Sequence, residues 1–246
     1  SRMTFFARVL RLIAVALCAQ AALAQDVATV AARAQTAYFA GSAAELIKLG
    51  DTVGTWAKSA NTREQYAYAF VQFRLLQLSV IAKRKDDASK SGDACVGTLD
   101  ALLKREPKSA EGHALQSACF GYLANLGGFA AIRNGSRSGK SMEAALALEP
   151  RNPRVVLVDG FGVYFRPKFV GGDKAKGCQR FAEAAAGFEA ARSTGVPSSM
   201  GIDWGAAEAH YWVGRCAKDA GDAAGARRAF DKALGIAPDF VAAKRG

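Results

Sequence analysis

The chain has 246 residues, half of them apolar, and a formal charge of +11 from 33 Lys and Arg against 22 Asp and Glu. That is apolar enough for a real core. The basic residues form no aromatic-interleaved run, so nucleic acid is not an expected partner. Ala is abundant while Val, Ile and Thr are sparse, which predicts an all-α fold.

In chain order, the first feature is an export signal over residues 1–24. Arg8 and Arg11 precede an apolar run from Leu12 to Leu23, and Ala22-Leu23-Ala24 fits a signal-peptidase site with cleavage after Ala24. A spanning helix needs about 20 apolar residues, so this run is too short, and no later stretch is long and apolar enough. The expectation is a periplasmic or secreted protein with no transmembrane segment in its mature chain. Lipid attachment at Cys18 is the alternative, but Leu17 is larger than the residue such attachment requires. Removing the signal takes Arg2, Arg8 and Arg11 and no acid, leaving 30 basic and 22 acidic residues and a charge of +8. The excess could favour anionic partners, but a solvated Lys- and Arg-rich helical surface is the plainer reading.

Helices are then predicted at 26–39, 42–59, 62–83 and 91–105, separated by Gly41, Asn61-Thr62 and Lys90-Ser91-Gly92-Asp93. Cys95 and Cys119 each lie twelve residues from Pro107, and Cys178 and Cys216 each lie nineteen from Pro197. If each proline marks the bend of a helical hairpin, each pair meets at one level on facing helices. Of the three pairings open to four cysteines, this selects Cys95–Cys119 and Cys178–Cys216. Four buried thiols are the alternative.

The run Asn134 to Ser141 ends in Gly139-Lys140-Ser141, the tail of a phosphate-binding loop, but Asn134 stands where the loop needs Gly. A Gly/Ser turn before the next helix is expected, with a weak anion site at that helix start as the alternative. His113 and His210 each precede a cysteine by six residues, a spacing that suits packing better than a shared metal, so no metal ligand is assigned. The acids are scattered and no carboxylate pair stands out. The chain is therefore not expected to be an enzyme, and no cofactor is assigned.

The stretch from Ala207 to Phe240 places small residues at Gly214, Ala226 and Ala233, Phe230 between the last two, and Pro238 at the end. It resembles the tetratricopeptide repeat, a 34-residue helical hairpin. His210 and Ala217 stand where that repeat commonly has Trp and Tyr. The physics agrees: small side chains let helices approach, Phe230 fills the wedge, and Pro238 stops the second helix. Residues 110–119 repeat the Ala, Glu, His and Cys of 207–216, and a third unit starts at Asn152 with Gly160, Phe181 and Ala184 and an insertion over 166–177. More widely, Glu149-Pro150-Arg151-Asn152-Pro153, Phe169-Val170-Gly171-Gly172-Asp173 and Asp203-Trp204-Gly205 are similar to runs in exported bacterial proteins of this repeat type.

The resemblance implies one domain over 25–246, a right-handed α-solenoid of about five hairpins whose first helices line a concave groove. The groove positions are then Glu208, Tyr211, Arg215 and Lys218 in the last unit, Arg154, Leu157, Phe161 and Tyr164 in the unit from Asn152, and Glu111 and Tyr122 in the degenerate unit. Of these, Arg154, Phe161, Tyr164, Tyr211, Arg215 and Lys218 are the candidate binding residues, because Tyr and Arg anchor partners at modest entropy cost. The expected function is a scaffold for a protein or peptide, with a bias toward acidic ones. The alternative is a periplasmic receptor for a small anionic ligand serving an envelope transport or assembly system.

Overall fold

Asp26, Ser42, Asn61, Ser109, Asn152, Asp173 and Asp222 each turn a side-chain oxygen onto a backbone amide two or three residues ahead, and each opens a helix. These caps set most of the element boundaries in the computed structural model, which describes residues 26–195 and 197–246. The export signal expected over 1–24, with Cys18, lies outside the described residues. Helix α1 is Val27–Phe39 and α2 is Ala43–Thr52, followed by a 3-10 turn at Gly54–Lys58. Then come α3 (Thr62–Ile81), α4 (Lys85–Arg105), α5 (Ala110–Ala124) and α6 (Phe129–Leu148). Helix α7 (Pro153–Phe165) leads through a 3-10 turn at Lys168–Val170 to α8 (Lys174–Thr194), and α9 (Ala206–Asp219), α10 (Ala223–Ile236) and the short α11 (Val241–Lys244) end the chain. No strand occurs among the described residues.

Consecutive helices pair as antiparallel hairpins: α1 with α2, α3 with α4, α5 with α6, α7 with α8, and α9 with α10. The first helices α1, α3, α5 and α7 pack side by side, and each second helix also packs on the first helix of the next hairpin. Alternation of direction makes all first helices run the same way. The turns inside hairpins therefore share one edge of the molecule, and the connections between hairpins share the opposite edge. The stack also curls until its ends meet, with the Phe39 and Phe240 rings 4.4 Å apart.

Close packing explains the small residues. A Cβ on Gly160 would lie 2.9 Å from the Phe181 ring, and one on Gly214 would lie 2.7 Å from Phe230. The same reason overturns the break expected at Lys90-Ser91-Gly92-Asp93, which lies inside α4. Gly92 is there because a Cβ would come within 2.4 Å of Leu123 on the neighbouring helix, not because the chain turns. Residues 134–141 are likewise not a turn but the middle of α6, where the Ser138 hydroxyl donates to the Ser117 carbonyl and the Ser117 hydroxyl to the Ser138 carbonyl, both at 2.8 Å. With no helix start there, the anion site weighed for that run has no basis. The long helix expected over 42–59 ends at Thr52 and tightens into the 3-10 turn.

Both expected disulfides are present, with Cα separations of 6.5 Å for Cys95–Cys119 and 5.9 Å for Cys178–Cys216. The first spans the short, even connection between α4 and α5, which joins two hairpins. The second spans an uneven one: Cys178 lies sixteen residues before the end of α8, whereas Cys216 lies ten after the start of α9. At 1.5 Å per residue, that difference leaves about 9 Å for the intervening segment to descend. Pro197 is thus not the apex of a bend but the beginning of a strap.

Candidate functional site

The strap, residues 197–205, crosses the amino-terminal halves of the first helices on the inside of the curl. Glu111 on α5 anchors its start: the Ser198 hydroxyl donates to the Glu111 carboxylate at 2.5 Å, and the Ser199 amide points to it at 3.4 Å. Arg154 on α7 lies 3.4 Å from Glu111 and donates to Asp203 at 2.6 Å, so one guanidinium holds both the helix and the strap. Met200, Ile202 and Trp204 are buried. The Trp204 indole N–H donates to the Tyr66 hydroxyl at 3.0 Å, and its ring lies 5.6 Å from Phe70 and 6.1 Å from Phe73.

Below the strap, Arg74 on α3 pairs with Glu208 on α9 and donates to Gln35 and to Gln77, the latter at 2.9 Å. Its guanidinium lies 4.2 Å from the centre of the Tyr38 ring and 4.8 Å from that of Phe70. Both charges are almost fully buried. Such a pair is held in place by its hydrogen bonds and ring contacts as much as by Coulomb attraction, since desolvation offsets most of the latter. Burial pushes the Tyr38, Tyr66 and Tyr122 hydroxyls up from their ordinary range, so these rings act here as neutral partners.

The carboxyl-terminal halves of α7 and α9 are more open. Phe161, Tyr164, Tyr211, Trp212 and Arg215 are half-buried, and Lys218 is exposed. The Trp212 ring lies 5.5 Å from Tyr164, 5.6 Å from Tyr211 and 5.7 Å from Phe161. Arg215 donates to the Tyr211 hydroxyl at 3.1 Å, which raises the guanidinium pKa further, and it stands 5.9 Å from the Trp212 ring centre. The Lys174 ammonium lies 5.6 Å from the Tyr164 ring. Tyr164 keeps its proton more tightly than usual, first through burial and then through Asp219. Lys218 donates to the Gly246 carbonyl at 2.8 Å.

Of the residues expected to bind, Phe161, Tyr164, Tyr211 and Arg215 come together, with Lys218 at the exposed end of the same helix. Arg154 stands apart, buried beneath the strap. Glu111, Leu157 and Glu208 are also buried rather than displayed. Sequence reasoning missed the aromatic Trp212, the buried Arg74 and the strap itself. The Pro-, Ser- and Gly-containing stretch around Trp204 was the one available signal of a long connection. His210 is buried, 3.5 Å from Glu189, and burial lowers its pKa against the pull of that carboxylate. His113 is half-buried, with Nε2 2.9 Å from the Pro107 carbonyl. Among the described residues no three His, Cys, Asp or Glu side chains are placed to hold a metal, and no described helix is long and apolar enough to cross a membrane. No protein-family model matches the chain, and no curated protein matches it either.

Proposed function

We propose that the protein is an exported binding scaffold, a right-handed solenoid of tetratricopeptide type, which takes an acidic protein or peptide segment on the open part of its inner face. The observation that carries this is the Tyr164–Trp212–Tyr211–Arg215 cluster. Rigid aromatic surfaces and a guanidinium stand together, half exposed, on two adjacent first helices. Such groups supply large contact area with few rotors to freeze, and a planar cation that matches a carboxylate. Lys174 and Lys218 at the margin add charge of the same sign. The buried carboxylates Glu111 and Glu208 are each held by an arginine, which suits holding structure together rather than moving protons, so no catalytic step or cofactor is proposed.

The test is a photo-crosslinking side chain at Lys218, with another at Lys90 on α4 as a control. Cross-links to acidic segments of envelope proteins at Lys218, absent at Lys90 and weakened by salt, support the reading. Equal labelling at both positions, or none, refutes it. A second reading, a receptor for a small anion, is favoured by a cleft of about 320 Å³ beside the strap, where Arg192 and Arg154 face Ser198 and Gly201. Arg154 is already engaged there by Glu111 and Asp203, which makes this the weaker reading. A rise in melting temperature with phosphate or small carboxylates, lost in Arg192→Ala, would favour it instead.

A further inference from the structure

Of the eight large apolar side chains exposed among the described residues, six gather along one edge, with Ile47 and Leu148 standing elsewhere. Phe129 is 100% exposed, Phe169 89%, Ile132 82% and Ile81 70%, with Phe165 and Val170 about half exposed. All six lie at or within a few residues of the turns inside the second, third and fourth hairpins, which share one edge because the first helices run in one direction. Neighbouring helices pack about 8–10 Å apart, so three successive turns form a row on the order of 20 Å long. Single exposed apolar residues need no explanation, but a contiguous row does.

The same turns are basic. Lys83 and Arg84 follow Ile81, Arg133 follows Ile132, and Arg166 and Lys168 lie within the fourth turn. Acids nearby are Asp86 and Asp87, with Asp87 3.4 Å from Arg84, and Asp173, whose carboxylate caps α8. From Phe120 to Met142 the chain has no acid at all. Among the described residues Arg133, Arg166 and Lys168 have no carboxylate within ion-pair distance.

The apolar tips are held out by structure. In the fourth turn the Gly172 amide donates to the Pro167 carbonyl at 3.1 Å and the Asp173 amide to the Val163 carbonyl at 2.9 Å. A Cβ on Gly172 would fall 1.7 Å from the Arg166 carbonyl oxygen, so the loop closes on itself and projects Phe169 outward.

We infer that this edge docks onto an anionic lipid surface. Phe and Ile tips enter the headgroup–acyl boundary while the interleaved guanidinium and ammonium groups meet anionic headgroups, the pattern that holds peripheral proteins in the interface plane. Tips that share one edge of the stack meet a surface together, and charge complementarity selects the lipid. Phe165 joins this edge to the binding cluster, its ring 5.2 Å from Trp212, but the inference rests on Phe129, Ile132 and Phe169 and not on the peptide-binding reading.

The test uses the full chain with one tryptophan added at Phe129→Trp, Phe169→Trp or, on the opposite edge, Leu148→Trp. Each is mixed with brominated vesicles, either phosphatidylglycerol with phosphatidylcholine in equal parts or phosphatidylcholine alone. The expected result is bromine quenching of the tryptophans at 129 and 169 on the mixed vesicles only, with the one at 148 unquenched. Replacing Arg133, Arg166 and Lys168 together by Ser should raise the lipid needed for half-maximal quenching by about a hundredfold. If the chain sediments with vesicles while the tryptophans at 129 and 169 stay unquenched, another segment holds the membrane and the inference fails. It also fails if these tryptophans respond to protein concentration without lipid and Phe169→Ser dissolves a dimer, since the occupant is then a second copy.

Discussion

The inner face of the curl is one surface with two fates. Over the middle of α3 and the amino-terminal halves of α5, α7 and α9, the strap, three arginine–carboxylate contacts and Trp204 fill it. Toward the carboxyl-terminal ends of α7 and α9, Tyr164, Trp212, Tyr211 and Arg215 are left half-buried. Both halves use the same residue types, aromatic rings and guanidinium groups. The filled half satisfies its charges internally and becomes core, whereas the open half leaves Arg215 with a neutral tyrosine partner. Residue type alone therefore does not distinguish a binding surface from a closure device. What separates them is whether a counter-charge from another part of the chain arrives.

The largest effect that would break this contrast comes from the filled half. Glu208→Ala should destabilise the fold by about 3–5 kcal/mol, since Arg74 remains buried without its carboxylate. Urea denaturation measures it, and a loss below about 1 kcal/mol would show that the closure holds the curl together far less than its burial suggests. Next in size are the disulfides. Replacing both Cys178 and Cys216 by Ser should cost about 3–4 kcal/mol, as expected for closing a loop of 38 residues. It should also loosen the strap, read as faster exchange of the Trp204 indole proton. The Cys95–Cys119 bond, which closes 24 residues, should cost about the same without altering that exchange.

In the open half the sign of the contrast reverses. Arg215→Glu should change stability by no more than about 0.5 kcal/mol yet reduce binding of an acidic partner at least about 30-fold, the equivalent of about 2 kcal/mol at a hot spot. If stability falls as far as in Glu208→Ala, both halves are core and the proposed surface is wrong. The smallest effect is a pH dependence. Burial holds His210 below its ordinary pKa of 6.5, so on acidification the unfolded chain takes up a proton before the folded one does. Its contribution is present above about pH 6.5 and fades as pH falls below that value. His210→Phe should flatten this limb of the stability profile between pH 7 and 5. Glu189, lowered chiefly by its bond from Lys232, acts in a lower window set by the carboxylate range, so the two are separable.

Much of the fold is legible in the residues. Caps such as Asn61, Ser109 and Asn152 act within three positions, so each helix start is written beside the helix it opens. Gly160 and Gly214 mark where helices touch, and the cysteine spacings select the observed pairing. Gly92 and Ser138 misled because a small or polar residue can break a helix or let another one approach, and only the neighbour, Leu123 or Ser117, decides which. The candidate site is legible to a smaller degree. Tyr211 and Arg215 follow from the groove positions that the repeat resemblance implies, whereas Arg154, at another of those positions, is covered by a segment further along.

By itself, then, the sequence determined the helices, their pairing into hairpins and the two sulfur bridges, all consequences of short-range geometry and regular spacing. The tertiary structure decided which half of the inner face is open, through the path of the strap and through a pair such as Arg74 and Glu208, 134 residues apart. No local rule encodes such a meeting. It follows from the accumulated rotation of the stacked hairpins, which brings the last to the first and lets buried charges find their partners.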